Sequence, residues 1–420
     1  MTISKRSFLK MTAAAAGSAA LFSGSNQALS QEGSSGLTSI TKGAKPISVE
    51  ERKARIEKAQ ALLQENKIDA LILEGGTSLV YFTGIRWGRS ERYMGVVIPA
   101  HGEIAIVTPH FEEPRARERM SFGEDVRAWH EHDNPFELVA QIIKDRGFNS
   151  RKIAIENTVR YFIADGLKEA IPNAQLVSGR DVVRGCRMYK SAHEIGLMQY
   201  ASDVTMAAYN HTYNNLEAGM TPRDISNMMT KAQMDLGARS LFTMALLSES
   251  SAFPHGTDKP QTLEEGDLVL MDCGAEVEGY DSDISRTFVF GEANARQREV
   301  WNIVKEGQDL AFEIAKIGTP CGEVDDAVRK LYEGYGFGPG YKTPGLSHRT
   351  GHGIGMDGHE PVNFVHGEKT LLQKGMCLSN EPGIYIYGEF GVRLEDCIYM
   401  ADSGPKWFSK TSPSIDNPFG

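Results

Sequence analysis

The chain has 420 residues, of which 41% are apolar and 24% charged, and it carries a net charge of −10 at neutral pH. That length is enough for two domains with a sizeable core, and the composition is that of an ordinary globular protein. The acidic balance argues against a nucleic-acid partner, which would favour a basic face, and no apolar run reaches the roughly 18 to 20 residues that a membrane-spanning helix needs.

The phrase SKRSFLK comes first, an alanine-rich apolar stretch follows from Met11 to Phe22, and Ala28-Leu29-Ser30 places small residues before Gln31. Basic, apolar and small residues in that order predict a signal peptide over 1–30. SKRSFLK is similar to a twin-arginine export signal with lysine in place of the first arginine, so the expected destination is the periplasm. Residues 31–47 are rich in Ser, Gly and Thr and predict a flexible linker.

An α/β domain is expected over 48–187. Ser48-Val49-Glu50-Glu51 reads as a capping box that opens a helix to about Asn66, with Ile56, Ala59, Leu62 and Leu63 as its apolar stripe. Ala70 to Leu73 predicts a strand, and Gly95 to Ile98 with Ile104 to Val107 predicts a hairpin about His101-Gly102. A helix near 136–146 and a strand near 152–156 continue the alternation. The second domain is expected over 188–420. It begins with a long helical pattern from Tyr189 to Asn215. Gly219-Met220-Thr221-Pro222 precedes an amphipathic helix ending near Gly237, and Gly318-Thr319-Pro320 precedes another ending near Tyr335, an internal echo. The five cysteines (Cys186, Cys273, Cys321, Cys377 and Cys397) are scattered and odd in number, which predicts buried free thiols rather than a disulfide framework.

Chemistry concentrates in the last third. Asp272 lies in LVLMDCG, Asp283 in YDSDISRTF, His352 in GHGIGMDGHE, Glu381 in EPGIY and Glu395 in VRLED. Four carboxylates and one imidazole make a ligand set for two divalent cations, whose charge the carboxylates balance. Hard oxygen donors favour Mn²⁺, Fe²⁺ or Mg²⁺, and the single imidazole admits Co²⁺ and Zn²⁺. Two such ions can share one water, lower its pKa and aim it as a nucleophile. A hairpin centred between 277 and 278 would set Asp272 opposite Asp283. One centred on Gly388 would set Glu381 opposite Glu395. Cross-strand partners lie about 5 Å apart on one face.

In order and spacing these phrases resemble the pita-bread metallopeptidase family, which includes Xaa-Pro aminopeptidases, Xaa-Pro dipeptidases (prolidases) and methionine aminopeptidases. The resemblance runs from Lys190 to Met400. It extends over Val49 to Arg187, a region similar to the amino-terminal domain of the creatinase and prolidase branch, which methionine aminopeptidases lack. The resemblance implies an α/β amino-terminal domain followed by an α+β pita-bread catalytic domain with pseudo-twofold symmetry. It also implies a dinuclear peptidase that hydrolyses the Xaa-Pro bond of dipeptides or short peptides through a metal-bridging water. Two metal ions per chain, Mn²⁺ foremost with Co²⁺ or Zn²⁺ as alternatives, and a homodimer are expected with it. Asp272 would chelate one metal, Asp283 and Glu395 would bridge both, and His352 and Glu381 would hold the other. Glu381 would also act as general base. His255 and His359 would hydrogen-bond the scissile carbonyl or the developing oxyanion.

Three further residues are expected near the substrate. His348, four before His352, would line the pocket. Arg393 shares Glu395's face by strand alternation, so it reads as an ion pair with a metal-site carboxylate or as a counter-ion for the substrate's carboxylate. Tyr385, four past Glu381, would line the site. Competing functions are a metal-dependent lyase or another small-molecule hydrolase on the same scaffold, and a non-catalytic binding module. The intact ligand set argues against the last.

Overall fold

The computed structural model describes residues 36–149 and 151–420. The expected signal peptide lies outside them. The segment expected to be a flexible linker is instead an ordered strap from Ser39 to Ile47. Ile40 N–H donates to Leu236 O at 3.0 Å, Thr41 Oγ1 donates to Gly237 O at 2.9 Å, and Lys45 O meets His193 Nε2 at 3.0 Å. Ile47 is buried. Thr41 and the backbone of Ile40 and Lys45 spend their hydrogen bonds on the ends of helices of the second domain, so composition alone misleads here.

The amino-terminal domain runs through α1 (Val49–Glu65), β1 (Ala70–Glu74), α2 (Thr77–Thr83), β2 (Gly95–Pro99), β3 (Ala105–Pro109), α3 (Glu113–Arg119), β4 (Val126–Trp129), α4 (Pro135–Asp145), β5 (Lys152–Ile155), α5 (Tyr161–Ala170), β6 (Gln175–Ser178) and α6 (Arg180–Arg187). Ser48 and Glu51 close the capping box of α1 from both sides, satisfying amide groups that the helix itself leaves free. The sheet order is β4-β3-β2-β1-β5-β6. Strand β1 is buried along its whole length because alternate side chains enter two cores. Leu71 and Leu73 pack with Ile56, Leu63 and Val182 from α1 and α6. Ala70 and Ile72 pack with Val139, Ile142 and Leu167 from α4 and α5.

The catalytic domain has the pita-bread architecture. Its first half holds α7 (Ala192–Asn214), α8 (Pro222–Asp235), β7 (Arg239–Leu247), β8 (Leu268–Val277), β9 (Tyr280–Asp281) and β10 (Ile284–Val289). Its second holds α9 (Ala295–Ile314), α10 (Cys321–Gly334), β11 (Gly351–Gly353), β12 (Glu360–Phe364), β13 (Cys377–Asn380), β14 (Gly383–Ile386), β15 (Phe390–Arg393), β16 (Asp396–Ala401) and β17 (Gly404–Trp407). The echo in the sequence is thus a repeated pair of helices leading into antiparallel strands; α8 and α10 have 14 residues each. Helix α7 starts at Ala192 rather than Tyr189, because Ser191 and Glu194 form a capping box there. The strands stack β10-β8-β7 in one sheet and β12-β11-β13-β16-β17 in the other, with β14 and β15 as a separate ribbon. All five cysteines are buried and free.

One register differs from expectation. Asp272 pairs with Ser285, not Asp283, and Val277 pairs with Tyr280. Glu278 and Gly279 both have positive φ, 52° and 88°, the signature of a two-residue hairpin turn that matches strand twist. That turn sits one residue later than expected and moves the partner of Asp272 by two. A two-residue slip preserves the face, so Asp283 stays on the same side as a diagonal neighbour. The second hairpin has the expected register: Gly383 pairs with Arg393 and Asn380 with Asp396.

Candidate active site

Only Asp272 of the four acids sits within a strand, on β8 between Met244 and Ser285. Asp283, Glu381 and Glu395 occupy breaks between consecutive strands, where the ladder opens and frees the side chains to converge. Their backbones are tied elsewhere: Glu381 N–H donates to Thr350 O at 2.9 Å and Glu395 N–H to Ser285 O at 3.1 Å. Arg286, fully buried, fixes the Glu395 break from beneath. It donates to Glu395 O at 2.9 Å and to Asp396 Oδ1 at 2.7 Å, and Asp396 also accepts from Gln308 at 3.0 Å.

His352 lies on β11, where its neighbours must be glycines. A Cβ at Gly351 would stand 2.1 Å from Ser379 O, and one at Gly353 2.7 Å from Glu360 O. His352 Nδ1 meets Gly353 O at 3.0 Å. That bond places the ring proton on Nδ1 and turns the Nε2 lone pair toward the acids. Nε2 lies 3.3 Å from Glu381 Oε1 and 3.6 Å from Asp283 Oδ2. Burial, with His359 adding to it, pushes the His352 pKa down to about 3, so the ring is held neutral as a ligand must be.

Ligand atoms of Asp272, Asp283 and Glu395 lie within 4.8 Å of one another, as do those of His352, Glu381 and Glu395. Glu395 belongs to both groups, and Asp283 reaches from the first to His352 in the second. This is the arrangement that two neighbouring cations require. Without cations it is electrostatically unfavourable. Burial and the charge of Glu395 raise Asp283 well above the usual carboxylate range, and burial and Glu381 do the same to Glu395. Burial lifts Glu381 to about 7, against the opposing Arg393 cation. Asp272 Oδ1, Asp283 Oδ1 and Glu395 Oε1 are buried acceptors with no hydrogen-bond partner. Orphaned acceptors cost free energy, and bound cations would satisfy all three while reversing the local preference for protonation. The donor set therefore fits a pair of divalent ions.

A cavity of about 310 Å³ opens onto these ligands, and His255, His348, His359, Arg349 and Arg393 line it. Of the residues expected near the substrate, Arg393 forms the expected ion pair with one of the site's carboxylates, Asp272. It donates to Asp272 Oδ2 at 2.7 Å, Ser285 Oγ at 2.9 Å, Tyr385 Oη at 3.0 Å and Pro254 O at 3.2 Å. Ser285 in turn donates to Glu395 Oε2 at 2.8 Å. These bonds occupy the guanidinium and leave it no fork to offer a substrate carboxylate. Tyr385 does not line the cavity. It is fully buried behind the wall, its hydroxyl between Arg393 and His348 Nε2, the latter at 2.7 Å. His348 sits in a loop and faces the cavity, its pKa lowered to about 3 by burial and Arg393.

Arg349 escaped the sequence reading. Among the described residues no carboxylate lies within ion-pair range of it, although it lines the cavity beside His359. Burial and the Arg349 charge both lower the His359 pKa. Its place between two site histidines in SHRTGH is the signal that could have found it.

Comparison with known proteins agrees with this geometry. The family described as metallopeptidase family M24 matches residues 196–402, and the creatinase/prolidase N-terminal domain matches residues 55–189. The Xaa-Pro dipeptidase of Pyrococcus furiosus is 30% identical over 365 residues, covering 86% of this chain and 99% of that protein. The crystal structure of dipeptidase PepE from Mycobacterium ulcerans superposes with a TM-score of 0.83 at 27% identity, over 89% of this chain and 99% of that one. A prolidase from Thermococcus sibiricus superposes with a TM-score of 0.78 at 28% identity, over 86% and 97%. Motif residues, fold and relatives agree: this chain belongs to metallopeptidase family M24, in its creatinase/prolidase-type two-domain form, and is a metal-dependent peptidase.

Proposed function

We propose that the protein is a dinuclear Xaa-Pro dipeptidase, with Mn²⁺ as the preferred ion. In this reading Asp283 and Glu395 would hold both ions, Asp272 one, and His352 and Glu381 the other. When bound, such ions supply Lewis acidity and make water a competent nucleophile at neutral pH. The residues of the chain do the rest. A carboxylate oxygen of Glu381 takes the proton that the attacking water gives up. His255 and His359 donate to the oxygen that gains charge at the scissile carbonyl. Arg393 and Ser285 hold Asp272 and Glu395 in place.

The observation that carries the dipeptidase reading is Arg349. Among the described residues it has no carboxylate within ion-pair range, it lines a small cavity beside the catalytic histidines, and a free peptide carboxylate is the group such a guanidinium receives best. The test is hydrolysis of Ala-Pro, Ala-Pro-Ala and Ala-Ala with and without Mn²⁺. Ala-Pro should be cleaved fastest, and only with metal. Faster cleavage of Ala-Pro-Ala would move the assignment to an aminopeptidase. We further propose that the protein is an exported homodimer, on the strength of the twin-arginine-like phrase at 4–10 and the family's habit. Amino-terminal sequencing of periplasmic material and a solution mass check these two points.

A further inference from the structure

The imidazole of His359 makes no side-chain hydrogen bond among the described residues. Its close ring neighbour is His352, with centroids 4.1 Å apart. Its position is therefore inherited from the residues on either side, in the loop between β11 and β12. Those neighbours are held firmly. Asp357 Oδ1 accepts from Thr77 Oγ1 at 2.5 Å, and Asp357 Oδ2 from Arg187 Nη2 at 2.8 Å. Glu360 Oε1 accepts from Arg187 Nη2 at 2.5 Å and from the Met356 amide at 3.0 Å. Glu360 Oε2 accepts from Lys190 Nζ at 3.0 Å. Glu360 is buried, and although burial favours its neutral form, Lys190 and Arg187 overcome this and bring its pKa down to about 2. The loop is packed tightly at Gly355, where a Cβ would stand 2.7 Å from Lys190 Cε, whereas one at Gly358 would meet nothing within 4 Å.

Two of these donors come from the amino-terminal domain. Thr77 opens α2 and Arg187 ends α6, and Arg187 is itself steadied by Ser78 Oγ at 3.1 Å. We propose that Thr77 and Arg187 are positioning residues for His359, so that the amino-terminal domain takes part in catalysis by clamping the loop that carries this histidine. The inference rests on the reading of His359 as an oxyanion donor. A donor helps only where its N–H points at the developing charge, and small displacements of a positioned group cost large factors in rate. The clamp holds Asp357 and Glu360, two residues before and one after His359, which leaves the intervening backbone little freedom.

The test is a double-mutant cycle in the full chain supplied with Mn²⁺, with Ala-Pro as substrate. Thr77→Val removes one donor without disturbing the buried Arg187–Glu360 pair, and Thr77→Ser restores the hydroxyl. Thr77→Val should lower kcat on the order of tenfold, with KM and bound metal unchanged and activity recovered in Thr77→Ser. In a His359→Ala background the same change should lower kcat less than about twofold, since the group being positioned is gone. Hydrogen exchange of the metal-free chain should show faster exchange in the 354–360 loop of Thr77→Val, with the remainder unaltered. An equal loss in both backgrounds, or no loss at all, would overturn the clamp while leaving the role of His359 intact. Full activity in His359→Ala alone would sink both.

Discussion

In the proposed reading metal binding turns on Asp283 and Glu395, since each lies within reach of both groups of candidate ligands. Asp283→Ala and Glu395→Ala should each abolish hydrolysis and reduce tightly held metal from two ions per chain toward none. Elemental analysis after dialysis reads this directly, and a variant that keeps both ions would contradict the bridging role. Arg349 makes a different prediction. Arg349→Ala should raise KM for Ala-Pro by about 10- to 100-fold, the equivalent of a charge-assisted hydrogen bond of ~1.5–3 kcal/mol. It should leave KM for the Ala-Pro amide unchanged, because that substrate has no terminal carboxylate. Equal effects on the two substrates would remove Arg349 from carboxylate recognition. The four acids and the imidazole that converge here were legible in the sequence because each sits in its own distinctive phrase. That Arg393 pairs with one of these carboxylates was legible too, but which one was not: the guanidinium spans the sheet to Asp272 on β8, 121 residues away in sequence. Such a contact depends on how the two halves pack.

At the scale of elements, what is local was readable and what depends on turn geometry was not. The cap of α1 follows from a four-residue pattern, Ser48 with Glu51; the same pattern at Ser191 and Glu194 starts α7 at Ala192, where the sequence reading began it at Tyr189. The register of β8 against β10 follows instead from which two residues take positive φ. The Glu276-Val277-Glu278-Gly279 stretch offered more than one answer, and Gly279 is the position that decides. The breaks that free Asp283, Glu381 and Glu395 left no mark in the hydrophobic pattern either. The break at Glu395 is held by Arg286, which donates to Glu395 O and whose buried pair with Asp396 ties β10 to β16. Arg286→Met leaves Asp396 charged and without its partner in the core, which costs about 3–5 kcal/mol. Chemical denaturation should show that loss, and activity should fall with it because the Glu395 backbone is released. The double variant Arg286→Met/Asp396→Leu should recover part of the stability by removing the stranded charge. A single variant with unchanged denaturation midpoint would show that the pair does not hold the break.

For the whole molecule, the cost of gathering four acids in one buried cavity appears as a dependence of stability on pH and metal. Burial raises the Glu381 pKa from the 4.5 usual for an exposed glutamate, as in the unfolded chain, to about 7 in the metal-free fold. Between those values the folded state binds more protons than the unfolded one. By linkage, the stability of the metal-free protein then falls as pH rises from about 4.5 to about 7. Asp283, raised by burial and Glu395, and Glu395, raised by burial and Glu381, act in the same direction. Cations invert the sign. They bind only the ionised carboxylates, so every proton that leaves with rising pH strengthens their hold. At a free concentration a hundredfold above Kd, one site contributes about 2.7 kcal/mol. The melting temperature in excess chelator should therefore decline from pH 5 to pH 7, while that in excess Mn²⁺ should not. The gap between the two curves should widen with pH and narrow again in Asp283→Ala. A constant gap across that range would mean that the ions bind somewhere other than this cluster of acids, and the site would have to be sought elsewhere in the fold.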